Sequence, residues 1–381
     1  MRHMTAFVAA VALASGAAPA LAQTSYVSPS LSVGVAYDDN TTATSGTTEA
    51  DFLLRVTPSL EGGWRGPRGT FTALHTFDME RYKDNSAFDD VQVRRRTSLD
   101  GDYRLSERLD FAGSLSSAAS DVAGEIVPEV GLELGRREAR RHAADAELGY
   151  RVTERMTATV GAGWSRDDVE AGTDATAVMG GVGAAYAANE RHTWTGDYVY
   201  RRYEFNGGNP IEAHIGLIGW ETAMSPRSTL LVQAGPRYTD GETTPEVLVA
   251  TTYDMLTSSL SFNFARSQST VLGQAGLADS HSAWATYIQQ LGTKTVLQLS
   301  PSYSRLERGG DSVEVARALV EAGYLVNRNL SARASYQWSR QDGSLETPGP
   351  IELTRNVLFV GLTWDFNPQP TTQNTLTRRR R

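Results

Sequence analysis

The chain has 381 residues, of which 36 are Lys or Arg and 44 are Asp or Glu, so its formal net charge is −8. This charge argues against nucleic acid as a partner. The chain contains no Cys, which excludes disulfides and thiolate metal sites. Hydrophobic residues make up 40% of the chain, yet its mean hydropathy is −0.34. A helical membrane protein would score higher, because its apolar residues form long uninterrupted segments.

The start of the chain is typical of an export signal. A positive charge precedes an apolar stretch over residues 5–18, and an Ala-Leu-Ala tripeptide at 20–22 comes directly before Gln23. This order indicates a signal peptide at residues 1–22. The apolar stretch is too short for a spanning helix. We therefore expect export to the periplasm of a Gram-negative-type cell, without a lipid anchor because Gln23 is not Cys.

Beyond the leader, one pattern recurs: an apolar residue at every second position over stretches of about ten residues. A period of two places alternate residues on opposite faces of a sheet. In the last stretch one face carries Leu358, Val360, Leu362, Trp364 and Phe366. We predict about 18 strands, near residues 30–38, 51–65, 70–82, 91–105, 109–119, 140–152, 156–166, 176–186, 192–205, 211–222, 229–238, 252–264, 270–278, 282–290, 294–305, 313–326, 330–340 and 354–366.

The connections between these stretches alternate between short turns and longer polar loops. Short ones include 66–69 and 106–108, and longer ones include 41–50 and Thr239 to Glu246. Short periplasmic turns, long outer loops and an even strand count are typical of outer-membrane barrels. The sequence therefore predicts an all-β fold, a transmembrane antiparallel β-barrel over residues 23–366, with both termini periplasmic. The alternative is a β-sandwich with an aromatic core.

Two local features qualify this prediction. Pro58, Pro236 and Pro301 lie inside predicted strands, where proline removes a ladder hydrogen bond, and we interpret them as bulge positions. The loop from Ser120 to Glu138 is long enough to fold into the lumen and constrict it. A plain surface loop is the alternative.

The two faces differ in chemistry. The apolar face carries aromatic residues close to strand ends, where amphipathic rings rest at the lipid headgroups. The polar face carries arginines and acids, which we place in the lumen because charges on the lipid face are costly. A lumen lined by arginine and not by lysine favours anionic or polyhydroxylated solutes. The simpler alternative is that these arginines form salt bridges that stabilise the barrel wall. The predicted lumen arginines are Arg55, Arg94, Arg96, Arg104, Arg141, Arg151, Arg201, Arg237 and Arg333.

Short stretches carry a family resemblance. The first strand ends in Tyr-Asp-Asp-Asn at 37–40, residues 94–108 read RRRTSLDGDYRLSER, and the last strand holds Gly361, Trp364 and Phe366. Together these resemble the β-barrel porin 2 family of outer-membrane proteins over residues 26–366. The resemblance implies a conduit for exopolysaccharide export, with periplasmic polysaccharide-export proteins as partners. A general diffusion porin and a structural or adhesive barrel without an open channel remain alternatives.

The last strand is also similar to the signal read by the barrel-assembly machinery. Gly361, Trp364 and Phe366 fit that signal, but Phe359 stands where a polar residue is usual and Phe366 is not terminal. Residues 367–381 end in four arginines and are predicted to form a disordered basic tail in the periplasm. Outer-membrane lipid and lipopolysaccharide complete the expected partners.

Catalysis is not expected. The histidines lie on separate predicted strands, and the tight cluster Asp279-Ser280-His281 joins chain neighbours, which rarely converge into a working triad. Oxygens of Asp38, Asp39, Asn40 and Asp51 could offer ligands to Ca²⁺, but such residues at strand ends more often form turns. The sequence therefore predicts a protein that is not an enzyme and uses no cofactor or metal.

Overall fold

A computed structural model describes residues 24–46, 48–122, 125–126, 135–343, 345 and 352–368. The predicted signal peptide lies outside the described residues, and so does residue 369 onward of the predicted tail. Within the described part, no helix is long and apolar enough to cross a membrane.

The described chain is built from antiparallel strands joined in sequence order. A short 3-10 turn at Ser86–Phe88 lies between the fourth and fifth segments. The segments are β1 Thr24–Asp38, β2 Asp51–Gly66, β3 Gly69–Phe77, β4 Met79–Tyr82, β5 Arg94–Arg104, β6 Leu109–Val122, β7 Arg136–Arg151, β8 Met156–Val169, β9 Ala175–Ala187, β10 His192–Phe205, β11 Ile211–Ser225, β12 Ser228–Thr239, β13 Glu242–Asp254, β14 Ser258–Thr270, β15 Leu277–Leu291, β16 Thr295–Arg308, β17 Asp311–Leu325, β18 Leu330–Gly343 and β19 Glu352–Asp365.

The sheet closes on itself. β1 pairs with β2 on one side and with β19 on the other, where Gly34 lies opposite Gly361. β3 and β4 are the two halves of one strand, interrupted at Asp78, since both pair with β2 in one register. The result is a closed antiparallel barrel of 18 strands, so the predicted fold class is confirmed and the β-sandwich alternative is wrong. Both described chain ends lie at one end of the barrel, which we call the turn end because every connection there has two to four residues. The longer connections lie at the opposite end, the loop end, which also has two-residue turns at 240–241 and 309–310.

The strand count is right, but two predicted strands are misplaced. The stretch 252–264 covers the end of β13, a turn and the first half of β14, and the stretch 270–278 covers the connection between β14 and β15. The prediction 282–290 lies inside β15. The predicted loop Thr239 to Glu246 is a two-residue turn at Asp240 and Gly241, both with positive φ (48° and 87°), as a tight hairpin turn requires. Pairing of β13 with β14 begins only at Val247, so Pro245 lies on an unpaired edge, where proline is tolerated.

The bulge interpretation of the three prolines is also wrong. Around Pro58, Pro236 and Pro301 the register does not shift. Instead, each proline leaves a short gap in the ladder on the side where its N–H is missing. At Pro58 that gap is the break at Asp78 between β3 and β4.

The outer face is an apolar belt. Ile218 is 71% exposed and Val360 is 57% exposed, and most large exposed side chains of the described strands share this outward phase. Trp194, Tyr186 and Trp364 lie outward close to the turn end. Soluble monomers rarely expose so continuous an apolar surface. A closed barrel with an apolar outer surface is a transmembrane barrel of the outer-membrane type.

Outward-facing charges are concentrated at the loop end, beyond this belt. There, exposed arginines pair with acids on the same or neighbouring strands, including Arg166 with Asp168 at 2.8 Å and Arg340 with Glu352 at 3.0 Å. Charge on the lipid face is least costly close to the headgroups. The positions of these pairs therefore indicate where the hydrocarbon layer stops.

Candidate functional site

Strand alternation places all nine of the predicted lumen arginines on the inner face. Arg96 of β5 lies opposite Ala118 of β6, and Ala118 lies opposite Arg141 of β7. These three side chains therefore share the lumen side of the wall. Arg95, one residue earlier, points outward and contacts Glu138 at 3.2 Å. Arg104 and Arg151 lie at the turn-end rim, apart from the others.

Four of the nine arginines meet at one cavity, and two further arginines complete it. The cavity has a volume of about 510 Å³. We call it the arginine cavity; its arginines are Arg55, Arg94, Arg96, Arg317, Arg333 and Arg355. Arg317 and Arg355 were not predicted, although both occupy the polar phase of predicted strands. The alternation that located the others could have located these two as well.

Part of the arginine cavity is a braced wall. Glu80 is fully buried and contacts Arg55 at 2.7 Å and also Arg94. Asp78, at the break between β3 and β4, lies 3.8 Å from Arg55 and 3.7 Å from Arg94. Arg355 binds Asp38 of the first strand at 2.6 Å. The salt-bridge alternative therefore describes these contacts, which hold the guanidinium groups in fixed orientations.

One acid in the arginine cavity comes from a loop rather than from a strand. Glu125 lies in the predicted constriction loop, and its side chain is 17% exposed. Arg94 contacts both carboxylate oxygens, with Nη2 to Oε1 at 3.0 Å, and Arg355 Nη1 lies 3.6 Å from Oε1. Burial alone would raise the pKa of this carboxyl. The charge and hydrogen bonds of Arg94, with Arg355 and Arg55 nearby, hold that pKa well below its usual range.

Glu125 and Ile126 therefore lie inside the barrel, as expected if this loop narrows the lumen. Most of the remaining loop, residues 123–124 and 127–134, lies outside the described residues. Arg96 donates from Nη2 to the Glu125 carbonyl oxygen at 3.0 Å, which ties the loop backbone to the wall.

A second inward segment was not predicted. The loop-end halves of β14 and β15 leave the wall and cross the lumen; we call residues 268–279 the crossing segment. Thr270 donates to Asp167 of β8 at 3.2 Å, and Thr173 pairs with Gly273. β8 lies six strands from β14 around the barrel, so these contacts require the segment to pass through the interior.

The crossing segment is held on both sides. Arg237, only 3% exposed, contacts Asp279 at 2.5 Å and Glu246 at 3.4 Å. Glu246 also accepts from Arg201 at 3.1 Å. On the other side Val271 and Ala278 pack with side chains of β16 and β17. The predicted lumen residues Arg201 and Arg237 thus anchor an internal partition rather than facing open water.

The two inward segments meet. Leu272 of the crossing segment packs with Ala139 of β7 and Val169 of β8, and Ile126 packs against the same cluster. Glu125 and Ile126 therefore bridge the arginine cavity and the crossing segment. Between them, the two segments span the lumen close to the loop end.

The lumen towards the turn end is acidic. A second inner cavity, of about 600 Å³, lies against β3 to β10. Its acids are Asp100, Asp102, Asp145, Glu147 and Asp197. The charge of the lumen wall thus changes along its axis, from acidic inside the rim formed by Arg104 and Arg151 to arginine-rich where the inward segments enter the lumen.

Among the described residues, neither the candidate catalytic cluster nor the candidate metal ligands form an assembled site. Asp279 is engaged by Arg237, and alternation points Ser280 and His281 to opposite faces of β15. Asp38 binds Arg355, and Asp51 accepts backbone N–H groups of Asp84 and Asn85. In the described part of the chain, no group of three His, Cys, Asp or Glu side chains is arranged to hold a metal ion.

The residues of the predicted assembly signal occupy the strand that closes the barrel. Trp364 and Phe366 point outward at the turn end, 48% and 59% exposed. Gly361 faces the lumen under the ring of Phe359, since a Cβ there would lie 2.7 Å from the Phe359 Cζ.

Comparison with known proteins gives only distant likenesses. The chain matches no protein-family model and no curated protein. Among solved structures it is similar to OccK2 (OpdF) of Pseudomonas aeruginosa, with a TM-score of 0.44 and 12% identity over 89% of this chain and 98% of that one. An anion-selective porin from Comamonas acidovorans gives a TM-score of 0.36 and 12% identity over 90% and 100%. The siderophore receptor PirA of P. aeruginosa gives 0.40 and 7% over 90% and 81%.

None of these TM-scores reaches 0.5, so they carry no argument about function. The class assigned above, an outer-membrane β-barrel, rests on this chain's own closed sheet and apolar belt.

Proposed function

We propose that this barrel is a passive pore for small anionic solutes. The observation that carries the proposal is the arginine cavity, which lies beside the two segments that enter the lumen. A charged wall acts most strongly on a passing ion at a constriction with little water. The acidic wall lies where no described segment enters the lumen, so we expect it to have less influence on selectivity.

The orientation follows from the same reasoning. Exported barrels of this type keep their termini and short turns in the periplasm and their long loops outside. We therefore assign the turn end to the periplasm and the loop end, with both inward segments, to the cell exterior. The charged pairs at the loop end would then contact the lipopolysaccharide headgroups.

A conduit for exopolysaccharide is the second candidate. Trp284 and several hydroxyl and amide side chains line the arginine cavity, which suits a sugar ring. The crossing segment, however, occupies part of the lumen that a continuous polymer would need. Diffusion of small solutes is therefore the better fit to the geometry. Periplasmic export proteins would be partners only under the second candidate.

The test is the reversal potential of single channels in a planar bilayer under a KCl gradient. We expect chloride to be preferred in the wild type. Arg96→Gln, inside the lumen, should reduce that preference, whereas Arg95→Gln, one residue away on the outer face, should leave it unchanged.

Three outcomes separate the candidates. Preference for potassium, or equal effects of the two substitutions, would contradict the anion pore. Silent bilayers would favour a structural or adhesive barrel. Loss of secreted polymer in a deletion strain, restored by the wild-type gene but not by a channel of similar conductance, would favour the export conduit.

A further inference from the structure

We propose that the outer face of β5 to β8 carries a binding site for a phosphorylated, acylated glycolipid of the outer leaflet. In this site Arg95 and Arg140 bind a phosphate group, and an apolar groove below them holds one acyl chain. The inference rests on the proposed orientation, which places the loop end at the cell exterior. It does not depend on the proposed anion selectivity.

Two arginines converge on the outer face at the loop end. Arg95 of β5 and Arg140 of β7 both donate from Nη2 to Oε1 of Glu138, at 3.2 Å and 2.8 Å. All three side chains are partly exposed. Two guanidinium groups therefore share one carboxylate, and the three side chains together carry a net positive charge. Phosphate oxygens accept the same forked donors as carboxylate oxygens do.

The outward arginine of β16 is a useful contrast. Arg305 lies 2.7 Å from Glu307 and 3.6 Å from Glu314, so a single guanidinium group faces two carboxylates. At Arg95 and Arg140 the proportion is reversed. An anionic headgroup is therefore attracted to β5 and β7 more strongly than to β16.

The chemistry of the outer face changes in a fixed order from the loop end towards the middle of the barrel. Along β7 the outward residues are first Arg140, then His142 and then Ala144. His142 lies opposite Ser117 of β6, and Ser117 lies opposite Thr97 of β5. A row of hydrogen-bonding side chains thus separates the arginines from the apolar belt. A phosphorylated glycolipid has the same order of groups: phosphate, sugar and hydrocarbon.

An apolar groove continues from this polar row into the belt. Ala144 lies opposite Leu115 on one side and Trp164 on the other, and these two larger side chains are 51% and 39% exposed. The small side chain of Ala144 leaves a gap between them, directly below His142. The gap opens into a groove of about 560 Å³, which is lined further by Phe111, Gly113, Ala146, Ala162 and Val178.

The groove and the arginines together select the occupant. An acyl chain alone would use only the groove, and free phosphate would use only Arg95 and Arg140. A phosphorylated glycolipid uses both, and the leaflet at the loop end contains it in the proposed orientation. A second copy of this chain, packed on the same face about a two-fold axis, would bring the positive group against itself.

Titration of the full-length protein in detergent with diphosphoryl lipid A, followed by native mass spectrometry, tests the proposal. Dephosphorylated lipid A is the counterpart without phosphate, and inorganic phosphate is the free competitor. We expect one diphosphoryl lipid A to bind preferentially to each barrel. Inorganic phosphate should not displace it, because the acyl chain adds contacts that the free ion lacks.

Two substitutions separate the two parts of the site. Arg140→Gln should weaken diphosphoryl lipid A binding about ten-fold, as expected for the loss of hydrogen bonds to a charged group. Ala146→Leu fills the groove and should weaken binding about three-fold through lost acyl contacts. The cross-strand neighbours of Ala146 are Gly113 and Ala162, so the larger side chain fits and the outer face stays apolar.

Each substitution has a matched control on the far side of the barrel. Arg305→Gln removes an outward arginine of β16 at the loop end, and Ala322→Leu adds the same bulk to the outer face of β17. Both controls should keep the wild-type affinity for diphosphoryl lipid A. If Arg140→Gln folds poorly, Arg95→Gln removes the other phosphate-binding arginine and should weaken binding in the same way.

Equal binding of the two forms of lipid A would overturn the inference, as would equal losses in a substitution and its control. A protein dimer that Ala146→Leu disrupts, with no lipid bound, would instead make this face a subunit contact. Chloride preference without selective lipid A binding would contradict the glycolipid site alone. Selective lipid A binding by a channel that prefers potassium would contradict the anion pore alone.

The orientation has its own test, because the chain contains no Cys. Gly207→Cys introduces a single thiol in the exposed connection between β10 and β11 at the loop end. A membrane-impermeant maleimide should label it in intact cells. Labelling only after lysis would place the loop end in the periplasm, and the outer-leaflet glycolipid could then not be the occupant.

Discussion

Arg355 of the last strand holds Asp38 of the first strand with three hydrogen bonds, although 317 residues separate them. Both side chains are nearly fully buried, at 4% and 2% exposure. This ion pair spans the seam where the sheet closes. The same guanidinium faces Glu125, so closure of the barrel and construction of the arginine cavity share one residue.

The first prediction concerns that seam. Arg355→Met should lower the free energy of unfolding by about 3–5 kcal/mol, because it leaves the Asp38 carboxylate buried without its partner. Arg340→Met is the control: its partner Glu352 is exposed, and such pairs contribute less than about 1 kcal/mol. Urea titration in lipid vesicles measures both. Equal losses would mean that the seam pair does not stabilise closure.

A second prediction separates packing from recognition at Gly361. The ring of Phe359 lies over Gly361 and its partner Gly34, so a Cβ at Gly361 would meet the ring at 2.7 Å and the Val33 carbonyl at 2.9 Å. Gly361→Ala should therefore cost about 1–3 kcal/mol through overpacking. Gly323, another inward strand glycine, has open space around its missing Cβ, and Gly323→Ala should be close to neutral.

The readout for Gly361 is unfolding of purified protein in lipid, with Phe359→Leu as the compensating second change. Rescue of stability by that change supports packing. If Gly361→Ala is stable in vitro but fails to reach the outer membrane in cells, the glycine acts chiefly as part of the assembly signal.

The third prediction concerns pH. Burial would raise the pKa of Glu125, but the charge and hydrogen bonds of Arg94 lower it below its ordinary value of 4.5, so the ionised carboxylate favours the contact of Glu125 with Arg94 above that value. This stabilisation is lost only as the pH falls through the lowered pKa. The ratio of the single-channel current of the wild type to that of Glu125→Gln should thus stay constant from pH 7 down to about pH 5. A change in that ratio between pH 6 and pH 5 would show that the carboxylate is not held in this way.

The sequence predicted the barrel and the facing of its charges for a simple reason. In a barrel wall each strand has one lipid side and one lumen side, so alternation alone distinguishes Arg95 from Arg96. The phase held even where strand boundaries were wrong, because a boundary error does not move a residue to the other face.

The crossing segment could not be predicted in this way. Its position depends on contacts between residues far apart in the chain, such as Thr270 with Asp167, 103 residues earlier. Alternation continues through β14 and β15 whether they stay in the wall or leave it. The first residues of β13 include the polar Thr243 and Thr244, so the sequence did not predict a strand there. This part of β13 is not paired with β14, and it marks the point where β14 leaves the wall. For Glu125, the only signal in the sequence was its position in a long connection, which predicted that the loop enters the lumen but not which residues the carboxylate contacts.

The last prediction tests the crossing segment as the constriction. Replacing residues 268–279 with two glycines removes the part of the hairpin that passes through the lumen while the wall portions of β14 and β15 remain paired. Single-channel conductance should rise by roughly two-fold or more, since an 18-strand barrel is wide enough for an aqueous channel when nothing fills it. Removing Gly207 and Gly208 from the exposed loop between β10 and β11 is the control and should leave conductance unchanged. Conductance that stays at the wild-type value after the larger replacement would place the constriction at the Glu125 loop instead.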